Sequence, residues 1–351
     1  MVTKNTIKFF KYIDYIVRTR GANMPYPPFV LDNRLGPVSH SSPILIWEKI
    51  NFREIKSGWR ELVLDLTSGR QRNDRVGLYI HIPFCVSKCF FCYSDSFVNT
   101  QKNIHNEYLH CLEKEIKLID FNKEIKVKTV YIGGGTPSIL DEENISKLMR
   151  MTHKNFNLSE CQQIMIEISP YTATLSKLKI LKDFGVNKIT IGVQTLDESL
   201  VKKMNRLQER RKVINIYRLA RKVGIDYINI DLMSGLPRQT VNSFVQTLQE
   251  ILMLKPDTIH INSFWPISIT PFARSGHQLT LTDLEKRRVM NKIGYQSISE
   301  NCPYIIERDG LEKENIQIYN SSKFNSSLLG IGYGAFSHIR GRLHYIKKNR
   351  F

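Results

Sequence analysis

Short runs of β-branched and aliphatic residues alternate with amphipathic segments along most of the chain from residue 77 onward. The runs have the length of buried strands, and the segments between them repeat apolar positions at the three- to four-residue spacing of a helix face. Strands are therefore predicted at 77–84, 127–135, 163–169, 188–194, 227–233 and 258–264. Helices are predicted near 105–121, 141–153, 174–184, 197–223 and 240–254.

This alternation of strand and helix indicates βα units and a parallel sheet. Six such units are fewer than the eight of a closed TIM barrel. We therefore expect an α/β fold whose residues 76–272 form an open, partial (β/α)6 TIM-like barrel.

The regions on either side of the predicted barrel have a different sequence pattern. Residues 1–75 carry prolines at positions 25, 27, 28, 37 and 43, which interrupt long elements, so a helix at 5–19 followed by an irregular, extended arm is predicted. Residues 273–351 are predicted to form a small C-terminal region that covers the substrate. It is expected to begin with a basic helix at 282–300 and to end in a glycine-rich turn at 328–338.

Polar and reactive residues stand where the predicted strands end. They are Cys85, the GGGTP segment at 133–137, Glu167, Gln194 and Asp231. Because parallel α/β folds place their chemistry at the carboxyl ends of the strands, this shared position predicts one common site.

The chain has a formal net charge of +18 at pH 7 and an isoelectric point near 9.6. A positive field attracts anions, but the basic residues are dispersed and no nucleic-acid motif accompanies them. We therefore expect a solvated basic surface and no nucleic-acid partner. No apolar run reaches the length of a membrane span, and the N-terminal segment lacks the apolar core of a secretory signal. A cytoplasmic protein in a reducing compartment is expected.

Three cysteines, Cys85, Cys89 and Cys92, follow one another at C-x3-C-x2-C spacing. A structural zinc site takes four ligands, usually from two cysteine pairs, and zinc bound with the help of His81 is one interpretation. Three thiolates also suit a [4Fe–4S] cluster, because cysteine thiolates hold such clusters and the remaining iron stays open to a small molecule. We favour the cluster.

With Phe91 before the last cysteine, this spacing resembles the signature of radical S-adenosylmethionine (SAM) enzymes. The segment YIHIPFC at 79–85 resembles, more narrowly, the oxygen-independent coproporphyrinogen III oxidase-like branch. Further stretches resemble the same branch, in order, between about residues 77 and 340: VYIGGGTPSIL, IEISP, LKDFGVNKITIGVQTLDESLVKKMNR, NIDLMSGLPRQT and LLGIGYGAFSH.

The resemblance implies a radical SAM barrel, a [4Fe–4S] cluster on the three cysteines, and one SAM molecule or two. In this family the reduced cluster cleaves SAM to a 5′-deoxyadenosyl radical, which abstracts hydrogen from the substrate. The implied partners are a bulky small-molecule substrate, with an anionic tetrapyrrole as one candidate, and a reductant such as flavodoxin or ferredoxin.

The resemblance also implies which residues contact SAM. Glycines let the backbone approach the methionine group, Gln194 would contact the ribose, and Arg206 would pair with the methionine carboxylate through its fork of donors. Glu167 and Asp231 are implied to be carboxylates of the same site. The full set is Tyr79, Gly133, Gly134, Gly135, Thr136, Glu167, Gln194, Arg206 and Asp231.

Some segments depart from the family pattern and leave three functions open. Arg238 stands in GLPRQT where glycine is usual, and Asn320 stands where tryptophan is expected in the segment 314–324. The first function is a porphyrinogen-type oxidase, and the second is a methyltransferase that uses two SAM molecules. The third is a non-catalytic haem chaperone, with four histidines as candidate ligands: His260, His277, His338 and His344. An RNA-modifying enzyme has only the net charge in its favour.

Overall fold

A computed structural model describes most of the chain after residue 51. The described residues are 52–68, 75–119, 124–266, 270–276, 279–301, 305–307, 310–312, 326–339 and 343–346. The helix predicted at 5–19, the segment 314–324 with Asn320, and His277 lie outside them.

The helices and strands follow the predicted alternation through the barrel. The helices are α1 (Phe52–Ser68), α2 (Lys102–Ile119), α3 (Glu142–Asn155), α4 (Leu175–Asp183), α5 (Glu198–Lys203), α6 (Arg210–Val223), α7 (Val241–Leu254), α8 (Pro271–Arg274) and α9 (Leu281–Asn301), with a 3-10 turn at Pro137–Ile139. The strands are β1 (Arg75–Ile82), β2 (Phe84–Cys85), β3 (Phe97–Val98), β4 (Val127–Gly134), β5 (Gln163–Ile168), β6 (Lys188–Gln194), β7 (Tyr227–Ser234), β8 (Thr258–Ser263), β9 (Ile305–Glu307), β10 (Gly310–Glu312), β11 (Ser326–Ile331), β12 (Phe336–Ile339) and β13 (Leu343–Ile346).

The described strands other than β2 and β3 form one sheet of eleven strands in the order β13-β12-β11-β1-β4-β5-β6-β7-β8-β10-β9. The predicted core β1-β4-β5-β6-β7-β8 is parallel throughout. This confirms the expected α/β fold with a parallel (β/α)6 core. Its strands are apolar on the helix-covered side, with Ile80, Ile132 and Ile230 almost completely buried.

The glycine-rich tail differs from the predicted turn. Residues 326–331 form β11, which pairs in parallel with β1, and only the residues between Gly332 and Ala335 turn back into β12. A Cβ at Gly330 would lie 2.3 Å from the Phe336 carbonyl oxygen, so this glycine lets β11 and β12 approach. The C-terminal region thus extends the sheet on both sides, with β11 to β13 next to β1 and with β10 and β9 next to β8.

The region before the barrel also differs from prediction. The helix α1 lies within the stretch that was predicted to be extended, and its Leu62 and Val63 are buried in the main core. The interrupting prolines all precede residue 44, which leaves the amphipathic sequence of α1 free to form a helix.

The helix α9 packs against α7 and against the ends of β7 and β8. A Cβ at Gly294 would lie 2.4 Å from Cδ1 of Ile261, so the glycine permits this close approach. Among the described helices, none combines the length and the apolar character of a membrane span.

Candidate active site

The three cysteines lie close together, with Cys85 at the end of β2 and with Cys89 and Cys92 on the loop that joins β2 to β3. These two short strands pair in parallel, with Phe84 opposite Phe97 and Cys85 opposite Val98, so the loop leaves the sheet and returns to the same place. The Cys92 backbone N–H donates to the Cys89 carbonyl at 3.0 Å, which tightens the loop into a turn. We call residues 85–98 the cysteine loop.

Hydrogen bonds from the barrel hold the cysteine loop in place. Within it, Lys88 Nζ donates to the Ser94 carbonyl at 2.6 Å and to Ser96 Oγ at 2.8 Å. Ser94 Oγ donates to the carbonyl of Gly134 at the end of β4, at 2.7 Å. On the other side, Asn205 Nδ2 donates to the Lys88 carbonyl at 3.0 Å.

The His81 side chain is hydrogen-bonded to the cysteine loop. Its Nδ1 lies 3.0 Å from the Tyr79 hydroxyl, and its Nε2 lies 2.9 Å from the carbonyl oxygen of Asp95. Burial of the ring lowers the pKa of His81 from 6.5 to about 4. Because both ring nitrogens already have protein partners, His81 is not placed as a zinc ligand.

The tail between β11 and β12 closes over the same histidine. A Cβ at Gly332 would lie 2.7 Å from the His81 carbonyl oxygen, and one at Gly334 would lie 2.8 Å from Cβ of Asp95. The ring of Phe97 contacts that of Tyr333, with centroids 5.1 Å apart. The tail therefore covers one side of the cysteine loop.

The glycine motif after β4 brings the barrel and the cysteine loop together. Gly134 has φ = +114°, and a Cβ there would lie 2.7 Å from the His81 ring. A Cβ at Gly135 would lie 2.6 Å from the Phe84 carbonyl oxygen. Next to them, Thr136 Oγ1 lies 3.5 Å from Cys85 Sγ. These glycines thus have a packing reason of their own, namely close contact with the strand that carries Cys85.

Glu167, the next-to-last residue of β5, lies inside the barrel. It accepts a hydrogen bond from the Tyr131 hydroxyl, and the Tyr131 ring contacts that of Tyr79 with centroids 5.3 Å apart. A Cβ at Gly133 would lie 3.1 Å from Glu167 Oε1. Burial raises the pKa of Glu167 from 4.5 to about 7; the Tyr131 hydrogen bond lowers it and the charge of Asp231 raises it.

Gln194 and Arg206 lie together at the end of β6. A register shift in the β6–β7 ladder lies between Gly192 and Gln194, and Gln194 has φ = +68°. Arg206 donates through Nη2 to the Gly192 carbonyl, and its Nη1 lies 3.7 Å from Cys89 Sγ. Its Nε donates to Gln208 Oε1 at 3.1 Å, and this fixes the guanidinium plane.

Asp231, on β7, is the next carboxylate of the site. Asn229 Nδ2 donates to its Oδ1 at 2.7 Å, and His260 Nδ1, on the neighbouring strand β8, lies 3.8 Å from the same oxygen. Burial raises the pKa of Asp231, while the charges of His260, Lys188 and Arg206 lower it.

The donor set fits a [4Fe–4S] cluster by its chemistry, since it consists of three thiols on a single loop. Burial raises the pKa of the Cys85 and Cys89 thiols, and the nearby Arg206 guanidinium lowers that of Cys89. Within the described part of the chain, no three His, Cys, Asp or Glu side chains are arranged around a single metal ion. A cluster does not require that arrangement, because each thiolate binds a different iron.

The barrel brings the predicted site residues to one end of the sheet. Thr136 lies against Cys85 and Arg206 against Cys89. Glu167 and Asp231 lie within electrostatic range of each other. Tyr131, which sequence reasoning missed, joins them, as does His260, which the sequence analysis named only as a candidate haem ligand. The two-residue periodicity of a strand could have placed both residues. Tyr131 stands two residues before Gly133 on β4, and His260 stands two residues before Asn262 on β8, so each lies on the inner face of its strand.

The sequence profile of the radical SAM superfamily matches residues 79–251. The chain is 31% identical over 282 residues to the oxygen-independent coproporphyrinogen III oxidase of Salmonella typhimurium, covering 75% of this chain and 61% of that protein. It is 33% identical over 273 residues to the heme chaperone HemW of Bacillus subtilis, covering 75% and 71%. The structure of coproporphyrinogen III oxidase (HemN) from Escherichia coli, described as a radical SAM enzyme, superposes with a TM-score of 0.69 at 27% identity, covering 82% and 70%. The chain thus spans about 61% of the length of the curated oxidase.

Proposed function

This chain belongs to the oxygen-independent coproporphyrinogen III oxidase-like family of radical SAM proteins, and on that premise we propose that it is a radical SAM enzyme acting on a bulky tetrapyrrole-type substrate. Cys85, Cys89 and Cys92 would hold a [4Fe–4S] cluster. SAM would lie between the cysteine loop and the ends of β4 to β7. Once bound, the two cofactors supply a strongly oxidising radical for hydrogen abstraction.

The observation that carries this proposal is the position of Arg206. Its guanidinium contacts both Cys89 Sγ and the Gly192 carbonyl. The Arg206 side chain therefore connects a proposed cluster ligand to the end of β6. An arginine is always charged and offers a planar fork of donors. This side chain is therefore suited to hold a cofactor carboxylate next to the iron.

The carboxylates of the site have a complementary role. SAM carries a sulfonium and an ammonium group, and ionised Glu167 and Asp231 would stabilise these positive charges in a partly enclosed site. The Tyr131 hydroxyl and the Asn229 amide orient the two carboxylates through the hydrogen bonds described above. The tail at Gly332–Gly334 and the cysteine loop exclude water from one side.

The electron for the reaction would come from an acidic reductant such as flavodoxin or ferredoxin. The net charge of +18 favours the approach of such a protein. The cysteine loop also has exposed side chains at its rim, with Phe90 42% and Val98 59% exposed.

An anaerobic product assay tests the proposal. The cluster is reconstituted, dithionite and SAM are added, and 5′-deoxyadenosine and S-adenosylhomocysteine are quantified together. Formation of 5′-deoxyadenosine alone is the expected result. Both products would favour the methyltransferase with two SAM molecules, and neither product from a protein with an intact cluster would reject a radical reaction.

A haem chaperone is the second candidate, because HemW is matched over 71% of its length. Of the histidines considered as haem ligands, His338 is 1% exposed and is enclosed in the core, whereas His260 faces the site beside Asp231. Haem titration followed by absorbance should therefore lose its signal in His260→Ala and keep it in His338→Gln. Equal haem binding by both variants and the wild type would exclude His260 as the ligand.

A further inference from the structure

Arg287 is a buried cation at the carboxyl ends of β7 and β8. Its side chain is 4% exposed, although it belongs to α9 outside the barrel strands. Nη1 donates to the Phe264 carbonyl just after β8, at 2.7 Å. The aliphatic stem covers Gly235 just after β7, where a Cβ would lie 2.7 Å from Cγ of Arg287.

The guanidinium is held flat by an aromatic ring. Its central carbon lies 3.6 Å from the centroid of the Trp265 ring, within the range of a cation–π contact. The carbonyl and the ring together fix the plane and direction of the fork. Such fixation lowers the entropy that Arg287 would lose on binding a planar anion.

The positive charge of Arg287 has no carboxylate partner among the described residues. Burial and the neighbouring Arg288 lower its pKa from 12.5 to about 10, so the side chain remains charged at neutral pH. A buried charge that lacks a counter-charge is costly. Nη1 bonds to the Phe264 carbonyl, whereas Nε and Nη2 have no hydrogen-bond partner among the described residues and remain available as donors.

The position of Arg287 connects it to the proposed active site. Phe264, whose carbonyl it binds, belongs to an apolar cluster with Met204, Leu236 and Phe272, and Phe91 of the cysteine loop packs on that cluster. Phe90 of the loop is bonded to both Met204 and Phe272 through the backbone. Arg287 thus bonds to a residue of the same apolar cluster on which Phe91 of the cysteine loop packs.

We propose that Arg287, backed by Trp265, is a specificity-determining residue that binds a carboxylate of the substrate. This deepens the proposed function and rests on it, because a tetrapyrrole that carries propionate groups offers such carboxylates around a large apolar ring. The apolar cluster would contact the ring, and Arg287 would form a bidentate pair with one carboxylate. No covalent step is assigned to the residue.

The test measures the equilibrium binding of a substrate-like probe and does not require turnover. The cluster-loaded protein is titrated anaerobically with coproporphyrin III, an air-stable tetracarboxylate probe, and the porphyrin absorbance reports the Kd. We expect Arg287→Met, an apolar substitution of similar length, to weaken binding about 10- to 100-fold, the range expected for losing a charge-assisted hydrogen-bonded pair. Arg287→Lys keeps the charge without the fork and should fall between Arg287→Met and the wild type. Exposed Lys286, one residue away on α9, provides the matched control Lys286→Gln, which should bind as the wild type does.

The uncharged tetramethyl ester of coproporphyrin III separates recognition from folding. All four proteins should bind the ester with similar Kd values, and the thermal midpoint and cluster absorbance verify that each is folded. Unchanged acid binding by folded Arg287→Met, or equal losses for acid and ester, would overturn the inference. If Arg287→Met does not fold, Arg287→Lys decides, and wild-type affinity in that variant overturns the inference. Failure of the wild type to prefer the acid also overturns it. Failure of the proposed function is detected by a different measurement, because the wild type would then form no 5′-deoxyadenosine in the anaerobic product assay.

Discussion

Glu167 should make SAM binding depend on pH near neutrality. Its pKa of about 7 in the free site means that close to one tenth of the molecules carry an ionised Glu167 at pH 6 and about nine tenths at pH 8. If SAM requires the carboxylate, its apparent affinity should rise about tenfold between these pH values, or about 1.4 kcal/mol. An ordinary glutamate with the reference pKa of 4.5 would give a change of only a few per cent.

The assay is equilibrium dialysis of SAM against the oxidised, cluster-loaded protein at pH 6, 7 and 8. Because the SAM ammonium also titrates in this range, the informative quantity is the ratio of the wild-type Kd to that of Glu167→Gln. This ratio should change about tenfold from pH 6 to pH 8. Constant values of the ratio would refute the assignment of Glu167 to the cofactor.

Tyr131→Phe provides a matched control for the same reasoning. The Tyr131 hydroxyl donates to Glu167 and lowers the pKa of that carboxyl. Removing it should raise the pKa, so the loss of SAM affinity should begin at a higher pH than in the wild type. A shift toward lower pH would show that the hydrogen bond does not favour the ionised carboxylate.

Three further predictions concern the cluster and the residues that support it. Replacing Cys85, Cys89 and Cys92 together with Ala should abolish the iron content and the absorbance near about 400 nm that cluster thiolates give; iron retained in the triple variant would reject these ligands. Arg206→Ala should weaken SAM binding about tenfold or more while the cluster absorbance stays, since a charge-assisted pair is lost; unchanged SAM affinity would remove Arg206 from the site. Since His81 has a pKa lowered from 6.5 to about 4, its contribution to stability is complete above pH 6.5 and is lost as the pH falls toward 4, by up to about 3 kcal/mol. Denaturant unfolding between pH 7 and 4.5 should show this loss in the wild type and not in His81→Gln, and equal losses would contradict it.

The parallel core could be predicted because its strands are covered by helices and read as continuous apolar runs of strand length. β11 could not be recognised in the same way. Its sequence is interrupted by Gly330, and its pairing joins Leu328 to Gly77 across the length of the chain, which no local pattern encodes. The same limit applies to α1, which packs against β12 at the far end of the chain.

The site could be predicted where chemistry and strand ends coincide, as for Glu167 and Asp231. Tyr131 and Arg287 show no such signal, and His260 entered the sequence analysis only as one of four candidate haem ligands. An aromatic or histidine within a strand has the local pattern of a core residue, and only the assembled sheet decides that it faces Glu167 or Asp231. Arg287 is one of many basic residues in the sequence, and its lack of a carboxylate partner among the described residues is a property of the assembled α9, β7 and β8.

The cover of the cysteine loop has a consequence for the order of events during synthesis. Gly332, which packs on His81, follows Cys92 by 240 residues (332 − 92). At translation rates of roughly 5 to 20 residues per second, the cysteines leave the ribosome roughly 10 to 50 s before the strand pair that encloses them. During that interval the thiols are accessible to whatever delivers iron and sulfide, and afterwards β11 and β12 close over the loop. Cofactor insertion on the nascent chain therefore meets a loop that β11 and β12 do not yet cover, whereas insertion into the finished protein has only the side of the loop that these strands leave exposed, where Phe90 and Val98 lie.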